Sequence, residues 1–195
     1  RLEAGRERGG AVGNAAERRP PRYVRRVAQE KSTQTLCAAF EQLDRERYHV
    51  LVVGHGLQRA ALQVLEQRSA HVTWRQYCGD ATELARLYRA ADLLVHPGVQ
   101  ETFGLTSLES QACGTPVIGI RGSYMDRIIF GDQLFWAREN SPAALARAIE
   151  ESRTQDLRAL GLAASVRARA HYAWPEVFDR LFCIYREVQA HYRAS

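Results

Sequence analysis

The chain has no apolar run approaching the roughly eighteen residues that a helix needs to cross a bilayer. Arg1 to Pro21 lacks the apolar stretch of a signal peptide. The expected location is therefore cytoplasmic, with peripheral contact at the inner membrane face left open. Cysteine is sparse: Cys37, Cys78, Cys113 and Cys183 lie far apart and form no CxxC pair. That spacing argues against a zinc cluster and a disulfide framework, so reduced and mostly packed thiols are expected. Lysine is almost absent, Lys31 being the only one in the chain. The formal charge of +5 thus rests on arginines dispersed among Glu and Asp. No basic stripe interleaved with aromatics is present, and nucleic acid is not an expected partner. Dispersed positive charge still attracts anionic substrates or headgroups. The chain also lacks an Asp-x-Asp metal motif.

What is present reads as one well-packed domain: 195 residues, 46% hydrophobic and 25% charged. Residues 1–21, rich in Gly, Ala and Arg and closed by Pro20-Pro21, are expected to be a linker or disordered leader. From Arg22 strands and helices alternate. Strands are expected at Tyr23 to Val27, His49 to Val53, Val72 to Trp74, Leu93 to Val95, from Thr115 to Ile118, and at an edge from Leu134 to Trp136. Helices are expected at Ser32 to Leu43, Leu57 to Gln67 and Thr82 to Ala90, and from Pro142 with Ser141 as N-cap. Gln155 to His191 reads as helical, broken near Trp174-Pro175. The fold class is α/β: a Rossmann-like, doubly wound, mostly parallel sheet over residues 22–195, with C-terminal helices and ligands outside the carboxyl ends of the strands.

The densest segment is Ala91 to Gly119, ADLLVHPGVQETFGLTSLESQACGTPVIG. It sets Glu101 and Glu109 on either side of the turn Phe103-Gly104-Leu105-Thr106, between a buried strand and a helix start. Thr106 or Ser107 is expected to cap that helix, which ends near Gly114. Free N–H groups in its first turn, together with the helix dipole, favour a phosphate. Carboxylates before the turn and on the helix suit the hydroxyls of whatever that phosphate carries, and a sugar nucleotide has hydroxyls on both sides of its pyrophosphate.

E-x7-E within ADxxVxPxxxETFGLxxLExxACGTPVI resembles the donor-binding, C-terminal domain of the group 1 (family 4) retaining glycosyltransferases of GT-B fold. The resemblance covers residue 22 to the C-terminus and implies an N-terminal acceptor domain that this chain lacks. It implies transfer of a hexose from a nucleoside-diphosphate sugar to an acceptor glycan, lipid or small molecule, without metal or other cofactor. By that resemblance Glu101 holds the transferred sugar, and the backbone of Phe103, Gly104, Leu105 and Thr106 the phosphates. Glu109 would bond the ribose. Arg26 and Lys31 fall on the family's basic pair that stabilises the departing diphosphate. Arg25 stands where the family usually has glycine. Gly54, in Val53-Gly54-His55-Gly56, matches a turn near the ligand. Arg75, Gln76 and Tyr77 match the segment facing the base, with Gln76 in place of glycine, and His96 lines the sugar site or serves as a structural hydrogen-bonding residue. Asp126 falls near an acidic loop position. Trp174 and Tyr185 match C-terminal aromatics, for which core packing is expected. Two other readings stay open: a noncatalytic nucleotide-sugar or nucleotide-diphosphate binding module, and a GT-B sugar-nucleotide epimerase.

Overall fold

The computed structural model describes residues 22–25, 33–54, 59–75, 78–131 and 136–194. Among them strands and helices alternate as expected: β1 (Arg22–Arg25), α1 (Thr33–Glu41), β2 (His49–Val53), α2 (Arg59–Arg68), β3 (Val72–Arg75), α3 (Ala81–Ala90) and β4 (Leu94–Val95). There follow α4 (Leu105–Ala112), β5 (Val117–Ile120), a 3₁₀ turn (Tyr124–Arg127), β6 (Trp136–Ala137), α5 (Pro142–Ser152), α6 (Leu157–Tyr172) and α7 (Trp174–Ala194). Hydrogen-bonded pairing is parallel throughout, β1-β2-β3 in one ladder and β4-β5-β6 in the other. Because β4 lies against β1, the strands run 3-2-1-4-5-6 in space, with the reversal between β1 and β4. In a doubly wound sheet that reversal opens a crevice for ligand at the carboxyl ends.

Both faces of the sheet are covered, which is why its strands read as apolar runs rather than alternating ones. Leu93, Val95, Ile118 and Ile120 pack with Leu36, Phe40, Leu145 and Ile149 on one side. Leu94 and Val117 face the other, against Tyr88, Leu108, Met125 and Ile128. Tyr48 is buried at the edge of the first cluster, and that burial, then its hydrogen bond with Glu150, raises its phenol above the ordinary tyrosine value.

Local chemistry sets the helix ends. Asp80, Ser141 and Asp156 cap α3, α5 and α6, accepting from the backbone N–H groups of Thr82, Ala144 and Ala159. Helix α6 lies so close to the loop after α4 that a Cβ on Gly161 would stand 1.9 Å from the Gly114 carbonyl oxygen. Ala173, in extended conformation, separates α6 from α7 near the expected break. Cys37, Cys78 and Cys113 are half-buried and Cys183 is exposed.

One expectation is corrected. Trp174 and Tyr185 are not core residues: they are 72% and 54% exposed, and Trp174 stacks on Phe178, Phe178 on Phe182, along one face of α7. The i, i+4 spacing of Trp174, Phe178 and Phe182 brings their rings together on the helix surface, each at least 44% exposed. Of the expected first strand Arg22–Arg25 lies within the described residues, and of the expected edge strand only Trp136, paired through Gly119.

Candidate functional site

Strand β4 ends in His96-Pro97-Gly98, held to the sheet by the His96 N–H donating to the Ile118 carbonyl at 2.8 Å. From there the chain loops through Glu101 to α4. His96 Nε2 stands 3.2 Å from Glu101 Oε1, with their side chains only 2% and 7% exposed. Gly98 forms the floor of this pair: a Cβ there would come within 2.9 Å of both Glu101 Oε1 and His96 Cε1. Gly98 was read from sequence only as a loop residue, and nothing but the folded geometry reveals the close approach.

The start of α4 corrects the expected cap. Gly104 occupies the N-cap in the left-handed region, φ 81°, and no side chain caps the helix. Thr106 and Ser107 sit inside the first turn instead. Ser107 is buried and its hydroxyl donates to Met125 Sδ at 3.5 Å, so it faces the core and not the helix end. Met125 fills the space beside this cap: a Cβ on residue 104 would lie 2.4 Å from Met125 Cε. The outcome is a helix terminus whose dipole and first-turn N–H groups are not answered by a side chain, flanked by exposed Phe103 and Leu105.

Glu109 lies one turn further along α4, and its Oε2 accepts from the Tyr88 hydroxyl of α3 at 3.1 Å. Tyr88 is fixed in turn, since its carbonyl accepts from buried Thr115 Oγ1 at 2.6 Å. Sequence reasoning missed Tyr88, whose phenol meets α4 only through tertiary packing. Gln111, also missed, is wholly buried and ties α4 to the loop beyond β5. Its amide donates to the Ser107 and Ile128 carbonyls and accepts from the Phe130 N–H. Burial, the larger cause, and Glu109 together hold the Cys113 thiol above its ordinary pKa despite opposing arginines.

The other expected residues disperse around this centre. Gly54 ends β2 at φ 140°, its N–H bonded to the Arg75 carbonyl and its own carbonyl to Trp74 Nε1, both at 3.0 Å. Arg75 at the end of β3 pairs with Glu83 at 3.5 Å, both about half-exposed. Asp126 serves its own loop, accepting from the Gly122 N–H at 3.0 Å. Arg26, Lys31, Gln76 and Tyr77, with His55 and Gly56, lie outside the described residues. Among the described residues no cluster of His, Cys, Asp or Glu could hold a metal ion. No helix among them is long and apolar enough to cross a membrane.

Beside the site an apolar cavity of about 360 Å³ lies between α4, α6 and α7, lined by Phe103, Leu105, Leu108, Tyr172, Trp174 and Val177 among others. At the far end of α4, Ser165 and Arg169 of α6 both donate to the Ala112 carbonyl, at 3.1 and 3.2 Å.

A parallel doubly wound sheet with such a helix start at its carboxyl edge is Rossmann-like. Solved structures agree. Sucrose-phosphate synthase from Thermosynechococcus elongatus superposes with a TM-score of 0.74 at 28% identity, over 88% of this chain and 46% of that one. A glycosyltransferase from Rickettsia africae gives 0.67 at 18% identity, over 87% and 48%, a likeness of fold alone. Residues 21–161 match the family model described as glycosyl transferases group 1, and the chain belongs to that family as a GT-B domain of the C-terminal kind. The D-inositol 3-phosphate glycosyltransferase of Segniliparus rotundus is 31% identical over 180 residues, 84% of this chain and 39% of that protein. A mannosyltransferase of Mycobacterium tuberculosis, named as GDP-mannose-dependent and acting on phosphatidylinositol dimannoside, is 36% identical over 100 residues, 51% and 26%. The chain thus spans well under half the length of these curated relatives.

Proposed function

We propose that this chain holds the donor of a retaining glycosyltransferase: a nucleoside-diphosphate hexose, bound without metal. The observation that carries the reading is the start of α4, a helix terminus with no side-chain cap and with Glu101 and Glu109 on either side. A pyrophosphate there meets backbone N–H groups and the positive pole of the helix. Glu101 is then suited to hydroxyls of the transferred sugar. Glu109, steadied by Tyr88, is suited to those of the ribose. Arg26 and Lys31 are expected to neutralise the leaving diphosphate. The relatives' names support a glycosyl donor and an inositol-type or lipid-linked acceptor, with the acceptor held by sequence beyond what this chain shares with them.

In the reaction proposed, the bond from the anomeric carbon to the diphosphate oxygen breaks while the acceptor hydroxyl forms a new bond on the same face. The acceptor proton passes to a diphosphate oxygen. The part of this chain is to fix the donor and to stabilise charge at both ends of the breaking bond.

Titration calorimetry of the chain with UDP, GDP and ADP and with their hexose derivatives, in buffer containing EDTA, tests the reading. At least one pair binds with EDTA present. Binding that needs Mg²⁺ or Mn²⁺, or failure of every pair to bind folded protein, overturns it.

A further inference from the structure

We infer that Tyr172, the last residue of α6, is a positioning residue: through the ring of Phe103 it fixes the turn that presents the first N–H groups of α4 to the donor diphosphate. That role rests on the donor-site reading above and adds to it a residue outside the Glu101–Glu109 segment. The first intrahelical bonds of α4 run from the Ser107 and Leu108 N–H groups to the Gly104 carbonyl, at 3.0 and 3.2 Å. The N–H groups of Leu105 and Thr106 come before them and point out of the first turn. Their aim depends on how the chain enters Gly104. On the helix side that entry is set by the left-handed φ of 81° and by Met125. On the loop side stands Phe103, 40% exposed, whose ring meets that of Tyr172 at 5.9 Å between centroids and 87° between planes, the edge-on arrangement that aromatic pairs favour.

Tyr172 can anchor the turn because it is itself held. Its ring packs against Phe130 at 6.2 Å. Phe130 is gripped by two further groups: His171 stacks on it at 5.6 Å, and the Arg167 guanidinium stands 4.9 Å from the ring centroid. The Phe130 N–H donates to Gln111 Oε1 at 2.7 Å, and Gln111 belongs to α4. The contacts therefore close a circuit, from Gln111 through Phe130 and Tyr172 to Phe103 and back to the cap of the same helix. A turn closed in this way loses little further freedom when a diphosphate settles on it, which removes part of the ordering cost from binding. Because the effect acts on the diphosphate seat, it falls equally on ligands with and without a sugar.

Calorimetry with UDP and UDP-glucose, and with GDP and GDP-mannose, tests this on wild type, Tyr172→Phe, Tyr172→Leu, Phe103→Leu and the double variant Phe103→Leu with Tyr172→Leu. Tyr172→Leu is expected to weaken a diphosphate and its hexose derivative alike, about fivefold, the scale of one aromatic pair. Tyr172→Phe keeps the ring and stays within about twofold of wild type. The double variant binds as Phe103→Leu does, because without the Phe103 ring Tyr172 has nothing left to hold. A purely structural contribution to α6 would instead multiply the two losses. Phe130→Leu, which removes the support behind Tyr172, is expected to show the same pattern and keeps the inference testable if Tyr172→Leu does not fold. Unchanged affinity in folded Tyr172→Leu or, where that variant does not fold, in Phe130→Leu overturns the positioning role, as do losses that multiply in the double variant. If wild type itself binds neither member of any pair, the donor-site reading has failed and the inference falls with it.

Discussion

At the residue scale the two carboxylates of the site differ in surroundings, and that difference separates their roles. Glu109 is held from α3 by Tyr88 on the outer side of α4, whereas Glu101 is sunk against His96. If Glu109 bonds the ribose, Glu109→Ala weakens nucleoside diphosphate and sugar nucleotide alike, by about 1.5–3 kcal/mol. Glu101→Gln leaves the bare diphosphate nearly unaffected and weakens only the sugar nucleotide. Calorimetry of both variants decides, and unchanged affinity for every ligand in both folded variants would remove the roles assigned to the pair. Gly104 offers a second test. Alanine there must adopt φ near 81° and meet Met125 Cε at 2.4 Å, so Gly104→Ala is expected to cost about 1–3 kcal/mol of stability, measured by urea unfolding. A neutral result would show that neither the left-handed φ nor Met125 constrains residue 104.

At the scale of elements the alternation of strands and helices was legible because apolar runs and caps are local signals. Ser141-Pro142 marks a helix start, and Ser141 Oγ does accept from the Ala144 N–H at 3.2 Å. Ser141→Ala should therefore lower stability by about 1 kcal/mol in the same measurement. The first turn of α4 was misread because Thr106 and Ser107 have the chemistry of caps, whereas Gly104 takes the place, in left-handed conformation and with Met125 leaving no room for a Cβ. The motif around Glu101 and Glu109 was legible through the likeness of the whole segment to a family, but its supports were not. Tyr88, Gly98 and Gln111 act through contacts between residues 2 to 21 positions apart, which neither periodicity nor spacing encodes. The aromatics of α7 were misjudged for a similar reason: aromatic residues usually report burial, and here they line an exposed face. Gly161→Ala probes the packing of α6 directly. With the Gly114 carbonyl 1.9 Å from the new methyl, α6 has to shift, and a loss of about 1–3 kcal/mol in unfolding free energy is expected.

For the whole molecule the reversal of strand order between β1 and β4 sets the carboxyl ends of those two strands around one crevice, and His96, Glu101 and the start of α4 follow the end of β4. The chain spans 39% of its Segniliparus relative, and the proposed reaction needs an acceptor held against the anomeric carbon. These 195 residues alone are accordingly expected to bind donor but to transfer sugar negligibly to inositol phosphate or lipid acceptors in a radiolabel assay. Efficient transfer by this chain would show that the acceptor site is contained within it.

The bonds that Ser165 and Arg169 make to the Ala112 carbonyl carry a consequence for transplantation. In the proposed reading helix α4 receives an anion at one end; at the other it is clamped by α6, with a guanidinium at its negative pole. The smallest graft able to carry the anion seat into another scaffold is thus two crossed helices and their glycine contact, because a loop and α4 moved alone would leave behind the anchor that keeps the helix aimed.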